Sequence, residues 1–228
     1  TKAFSLKATV KYFLQFFGAL FCMFSSVRRF AIHNHVRAGI EPYDAKTLLY
    51  LLFVGCYLGI SLMFVAWYGF FQCWLNGWAE ILRFGDRMFY DDWWTSGQYS
   101  RYFRKWNLVV SDWLHSYLYQ PMYNLSGKKW IAALSTFMVS AIYHEYIMAL
   151  TLGFVFPLLF ILFSTGIIMF FLTQRLDKEH VGGNTFLFAS FYIGYSLFVM
   201  FYPMEWYSRI NCPQVFEVLI NGVEVFSI

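Results

Sequence analysis

The chain has 228 residues, of which 59% are hydrophobic, 24% aromatic and only 13% charged, with a net charge of +4. Soluble domains carry about 25% charged residues, whereas the runs Thr47 to Ala79 and Tyr146 to Gln174 carry none. A soluble globular enzyme is therefore excluded, the modest charge gives no sign of nucleic-acid binding, and no ten-residue segments of alternating hydrophobicity mark a membrane β-barrel.

Both uncharged runs exceed the roughly 20 apolar residues that cross a bilayer. The fold class is all-α, a polytopic transmembrane helical bundle. The first predicted span covers about Ala8 to Val27, and a polar loop from Arg28 to Lys46, punctuated by Pro42, follows it. The run Thr47 to Ala79 would reach about 50 Å as a straight helix. It must tilt, project or bend, and Gly55, Gly59 and Gly69 are the candidate bends. Glu80 to Lys105 is the most polar part and reads as an interfacial or re-entrant segment. Trp106 to Tyr123 reads as a short, partly buried helix ending near Pro121. Trp130 to Gln174 is too long for one span, so two helices are expected, broken at Gly153 and Pro157. After the polar turn Arg175 to Asn184, a last span covers about Thr185 to Tyr202, and a short mixed tail follows Glu205.

Lys and Arg are nearly balanced between the loops, so the positive-inside rule does not orient the chain. Cys22, Cys56, Cys73 and Cys212 match no zinc or redox spacing. His33 and His35 form an isolated His-x-His, and His115 and His180 have no partner in the sequence, so no metal site is expected. Asn124-Leu125-Ser126 matches a glycosylation sequon close to membrane segments.

Two places can carry chemistry. In the helix from Trp130, Thr136, Ser140 and His144 recur every four residues and share a face. Polar side chains inside a bilayer usually face a bundle interior or a wet cavity. The stripe thus reads as the wall of a polar tunnel, or as a histidine that simply bonds a neighbouring helix. Glu145 lies about 100° round the helix from His144, as an orienting or ion-paired group rather than a second catalytic one. The second place is "FYDDWWT" with its basic neighbours Arg101, Arg104 and Lys105 and with Trp106 and Asn107. It reads either as an interfacial segment with aromatic anchors or as a seat for an anionic head group such as a nucleotide phosphate.

The stretches "FYDDWWT" (Phe89 to Thr95), "WN" (Trp106 and Asn107) and "SAIYHEY" (Ser140 to Tyr146) resemble the signatures of the membrane-bound O-acyltransferase family. "QCWLN" (Gln72 to Asn76), "AEILRFGDRMFY" (Ala79 to Tyr90), "NLVVSDWL" (Asn107 to Leu114) and "EWYSRINCP" (Glu205 to Pro213) look like its sterol O-acyltransferases. The diacylglycerol acyltransferases share the signature, the WN and the HEY, but read differently around "MFYDDWW" and lack a good counterpart of "EWYSRINCP". A transporter would show matched repeats or paired broken helices, which are not seen.

The resemblance implies transfer of a fatty acyl group from acyl-CoA, as co-substrate, to a sterol hydroxyl, with no cofactor and no metal. It implies His144 as catalytic base and Asn107 as catalytic Asn. Ser140, Arg104, Trp106, Tyr119 and Lys129 would lie around the acyl-CoA, and Phe89, Tyr90, Asp92, Trp93 and Trp94 would form the signature. Burial in the bundle would help keep the imidazole neutral. The resemblance further implies membrane lipid and a homo-oligomer (dimer or tetramer) as partners, and a multi-pass location in the endoplasmic reticulum membrane.

Three positions depart from the pattern: Thr95 replaces the signature Asn, Ser111 replaces a usual His, and Cys212 has no later cysteine with which to form the family's bridge. Residues 1–228 are expected to form one membrane domain, the catalytic C-terminal half of a longer acyltransferase, and to be inactive without the N-terminal spans.

Overall fold

A computed structural model describes residues 4–212 and two short strands, Glu217–Ile220 and Val223–Phe226. The first helix, α1 (Leu6–His35), starts where the Ser5 hydroxyl accepts the Ala8 N–H, the usual role of serine at a helix start. It runs a full two turns beyond the expected span and absorbs the basic stretch read as loop. His35, at its end, is wholly buried against Tyr43, whose hydroxyl lies 3.1 Å from Nδ1.

Asp44 caps the next helix, α2 (Ala45–Trp67), through the Thr47 N–H. A π-helical stretch, Tyr68–Trp74, joins it without a break to α3 (Leu75–Ile81). The irregularity in this long run thus falls at Gly69. Gly55 and Gly59 serve close packing instead of bending. A Cβ on Gly59 would stand 2.6 Å from the Tyr195 carbonyl oxygen, and Ser196 Oγ donates to Leu52 O at 2.6 Å.

Two short helices, α4 (Tyr99–Trp106) and α5 (Leu108–Leu114), meet at Asn107. A π-helical stretch, His115–Tyr119, carries α5 into α6 (Gln120–Ser126). Pro121 does not end this run: it lies inside the continuous helix, just after the π-helical stretch whose Gln120 N–H reaches His115 O. Asn124 is part of that helix and accepts from Gln120 Nε2 at 3.2 Å. Gly127, at φ +64°, closes α6.

The expected break in the long apolar stretch is found where its residues place it. α7 (Lys129–Leu152) ends at Gly153 with φ +79°, and α8 (Leu158–Thr173) begins after Pro157. Glycine accepts the left-handed conformation without a Cβ penalty. The last helix, α9 (Val181–Asn211), is 31 residues long and tolerates Pro203 inside it. It takes in the start of the segment read as a mixed tail, Glu205 to Asn211. The two strands beyond it pair antiparallel, Glu217 opposite Phe226. Pro213, the last residue of the sterol-type tail motif, lies outside the described residues.

Among the described residues, four helical segments are long and apolar enough to cross a membrane: α1, α2 through α3, α7 and α9. α8 has 16 residues, about 24 Å of helix, and is shorter than a hydrocarbon core. The protein is a multi-pass helical membrane protein. Its tightest internal seam joins α2 to α9, with Leu51, Val199, Met200 and Phe30 in one buried cluster. A second cluster, of Ile60, Met63, Trp93, Tyr99, Tyr102 and Leu187, gathers the middle of the chain around Trp93.

Candidate active site

The polar segment after α3 runs alongside the α4–α5 junction. Asp91 N–H donates to Lys105 O at 3.0 Å, and Leu108 N–H donates to Phe89 O at 3.0 Å. These two bonds tie the start of the signature to both sides of Trp106 and Asn107. Trp93 follows in a single 3-10 turn and is wholly buried. Its ring meets Trp106 edge-on at 4.8 Å, with Trp67 at 5.6 Å and Tyr102 at 5.8 Å around it. Tyr90 packs on Trp67 at 4.4 Å and donates its hydroxyl to Gln72 Oε1 at 2.7 Å. Phe89 stacks on Phe84, and Trp94 is 45% exposed beside Trp67. Thr95, the departure from the signature, donates its hydroxyl to Asp92 O at 2.8 Å and to Asp92 Oδ2 at 3.1 Å. The turn therefore keeps a side-chain tie without the asparagine.

The acidic pair is matched by bases one helical turn apart on α4. Lys105 pairs with Asp92 and, at 2.9 Å, with Asp91. Arg101 lies 3.6 Å from Asp92 and 2.8 Å from Glu179. The hydrogen bond from the Lys105 ammonium holds the Asp92 carboxyl down at about 2. Arg101 and Lys105 are thus paired with carboxylates of this chain, which favours the interfacial reading of the segment over a seat for an anionic head group built on all three bases. Arg104, in the last turn of α4, is exposed.

Asn107 ends α4 and starts α5. Its backbone is extended, at φ −147°, and its Oδ1 accepts the Val110 N–H at 3.1 Å. That bond fixes which end of the amide is oxygen. Nδ2 is consequently the donating end, and among the described residues it has no acceptor.

His144 sits in the fifth turn of α7. Its Nδ1 is 2.7 Å from the Ser140 carbonyl oxygen and 3.5 Å from Ser140 Oγ. A carbonyl only accepts, so Nδ1 carries the proton and the neutral ring keeps its lone pair on Nε2. Phe163 of α8 lies against the ring, with centroids 4.5 Å apart and planes 34° apart. The stripe does not close into a tunnel here. Thr136 turns its hydroxyl back to Ala132 O at 2.8 Å, and His144 is exposed among Tyr143, Tyr146 and Ile147. Burial by the described residues therefore does not shield the imidazole, contrary to expectation; they build one wall of a site.

Asn107 and His144 do not touch. α4 and α7 meet instead through Phe103 and Phe137, edge-on at 4.8 Å, and Phe137 meets Phe170 of α8 at 5.3 Å. Phe137 and His144 are seven residues apart and lie on nearly the same face of α7. Tyr119 stacks between His115 at 5.4 Å and Tyr123 at 6.4 Å. Lys129 is exposed at the start of α7. Among the described residues, no hydrogen bond or ring contact joins Arg104, Tyr119 and Lys129 to one another or to His144.

Several contributors carry no local sequence signal. The α8–α9 loop and the first turn of α9 are stitched to the end of the signature: Gly97 N–H donates to Lys178 O at 2.8 Å, and Asn184 Nδ2 donates to Trp94 O at 2.7 Å and Ser96 O at 3.1 Å. A Cβ on Gly183 would stand 2.1 Å from Gly97 O, so only glycine permits this contact. Glu145 faces away from His144 into the interior, 9% exposed. Only its adjacency to His144 hinted at a role.

Fold and site together define a multi-pass helical membrane protein with His144 on α7 and Asn107 at the α4–α5 junction. The model of the membrane-bound O-acyltransferase family matches residues 2–206, and the chain belongs to that family. It is 40% identical to sterol O-acyltransferase 1 of Mus musculus over 204 residues, covering 88% of this chain and 38% of that protein. It is 38% identical to sterol O-acyltransferase 2 of the same species over 209 residues, covering 89% and 39%, and 36% identical to the Homo sapiens sterol O-acyltransferase 2 over 207 residues, again covering 89% and 39%. The chain thus spans under half the length of these curated relatives.

Proposed function

We propose that this chain carries the catalytic residues of a sterol O-acyltransferase, which transfers a long-chain fatty acyl group from acyl-CoA to a sterol hydroxyl. The observation that carries the reading is the His144 hydrogen bond: Nδ1 is committed to Ser140 O, so Nε2 is the free base. Family membership and the identity to sterol O-acyltransferases support the substrate class.

A thioester is already an activated acyl donor, so the reaction needs no covalent enzyme intermediate, metal or prosthetic group. His144 Nε2 takes the proton of the sterol hydroxyl as its oxygen attacks the thioester carbonyl carbon. Asn107 Nδ2 donates to the carbonyl oxygen as charge builds there. The C–S bond then breaks, the ester remains, and the leaving thiolate of CoA takes the proton back from the imidazolium. Ser140 lies beside the base, and Trp106 is set by the signature next to Asn107. Arg104, Tyr119 and Lys129 are the groups assigned to the CoA portion. The membrane of the endoplasmic reticulum, a homo-oligomer and a catalytic C-terminal half belong to the same proposal.

The test offers labelled oleoyl-CoA to membranes holding the full-length protein, with cholesterol and diacylglycerol in parallel. Sterol ester should form, and His144→Ala should abolish it. Asn107→Ala, which removes one oxyanion donor, should lower kcat by about 10²–10³. An active His144→Ala protein would overturn the mechanism, and equal turnover of diacylglycerol would overturn the substrate class.

A further inference from the structure

Glu145 is a buried carboxyl beside the candidate base, yet its atoms reach the other way. Oε2 accepts the Phe160 N–H at 3.1 Å, and the Tyr202 hydroxyl approaches both oxygens, at 3.4 and 3.5 Å. Phe160 is the third residue of α8, whose own N-cap, Pro157, supplies no side-chain acceptor. The first turn of a helix presents N–H groups that lack intrahelical partners, and a carboxyl there is favourable. Glu145 therefore does from α7 what a cap residue would do locally. The turn it anchors leads directly to Phe163, whose ring lies against the His144 imidazole. Tyr202 adds a third helix to the clamp, because its hydroxyl also reaches Phe156 O at 3.4 Å in the α7–α8 turn.

We infer that Glu145 is a positioning residue: by holding the first turn of α8 against α7 and α9, it sets Phe163 beneath His144 and so fixes the orientation of the imidazole. This inference rests on the reading of His144 as the base. The imidazole is held on one edge by Ser140 O and on one face by Phe163. Loss of the anchor frees the face while leaving the edge bond and the substrate contacts in place. Misplacement of about 1 Å at a reacting group is enough to cost about 10²-fold in rate.

The test uses steady-state kinetics of the full-length protein in membranes, with oleoyl-CoA and cholesterol. Glu145→Ala should lower kcat by about 10- to 100-fold with KM for oleoyl-CoA little changed. Glu145→Gln, whose Oε1 can still accept the Phe160 N–H, should restore most of that loss. Phe163→Leu should lower kcat similarly, and the double variant with Glu145→Ala should be no slower than the slower single variant, because both remove one support. Should Glu145→Ala fail to accumulate, Tyr202→Phe takes its place in the cycle, with a smaller loss that is again not multiplied by Phe163→Leu. Wild-type turnover by Glu145→Ala, a Gln variant as slow as Ala, or losses that multiply would each overturn the inference. An active His144→Ala protein would instead sink the base assignment itself, so the two failures are told apart.

Discussion

At the scale of single residues, the paired charges around Asp92 give a pH dependence whose sign follows from the depressed carboxyl. Asp92 titrates near 2 in the folded chain because Lys105 hydrogen-bonds its ionised form, against about 3.9 when unfolded. The stabilisation is fully present above about pH 4 and is lost as pH falls through about 2. Thermal unfolding of the detergent-solubilised protein should therefore show the deficit of Asp92→Asn shrinking as pH drops across that window, and remaining constant from pH 5 to 7. Trp93 is a different case. It is wholly buried among six aromatic rings, and Trp93→Ala should cost about 3–5 kcal/mol of stability, read as a large drop in midpoint temperature or in folded yield. Its ring packs on Trp106, the residue before Asn107. Thr95→Asn should be tolerated, because either side chain can reach back to Asp92 in the tight turn.

At the scale of elements, one close approach and one hydrogen-bonded anchor govern how the helices assemble. α2 and α9 meet backbone to backbone where Gly59 faces Tyr195. Gly59→Leu would place a branched side chain where the carbonyl oxygen stands and should separate the two helices, at a cost of about 1–3 kcal/mol or more. The expected readout is loss of folded protein on size-exclusion chromatography, with Gly194→Leu, whose Cβ would meet nothing within 4 Å, as the tolerated control. α8 is the second instructive element. The sequence placed its boundaries correctly at Gly153 and Pro157, yet its 16 residues are held by α7 and α9 rather than by length alone. The helix ends misread from sequence share one cause. Basic residues in the last turns of α1 and a proline just after the π-helical stretch look like loop signals, but both lie within helix.

At the scale of the whole molecule, the face of α7 that bears His144 is exposed, together with Tyr143 and Tyr146. A thioester bound there would meet water or lipid. The chain by itself is therefore expected to form no sterol ester when expressed in cells lacking sterol esterification, whereas the full-length protein restores it; ester formed by the 228-residue chain would refute this. What the sequence determined on its own was local: a helical membrane class from its uncharged runs, the break at Gly153 and Pro157 from backbone preference, and the stripe from helical spacing. The motifs "FYDDWWT", "WN" and "YHEY" marked the family. Tertiary structure alone decided that Arg101 and Lys105 are paired with carboxylates of this chain and that Glu145 turns from His144 to the start of α8, while the cap at the start of α5 decided that Asn107 presents its amide nitrogen. The reason is physical. Periodicity and backbone preference act over a few neighbouring residues, whereas each of these roles depends on a hydrogen bond whose direction is set by the backbone conformation or by a partner outside the element's own repeat.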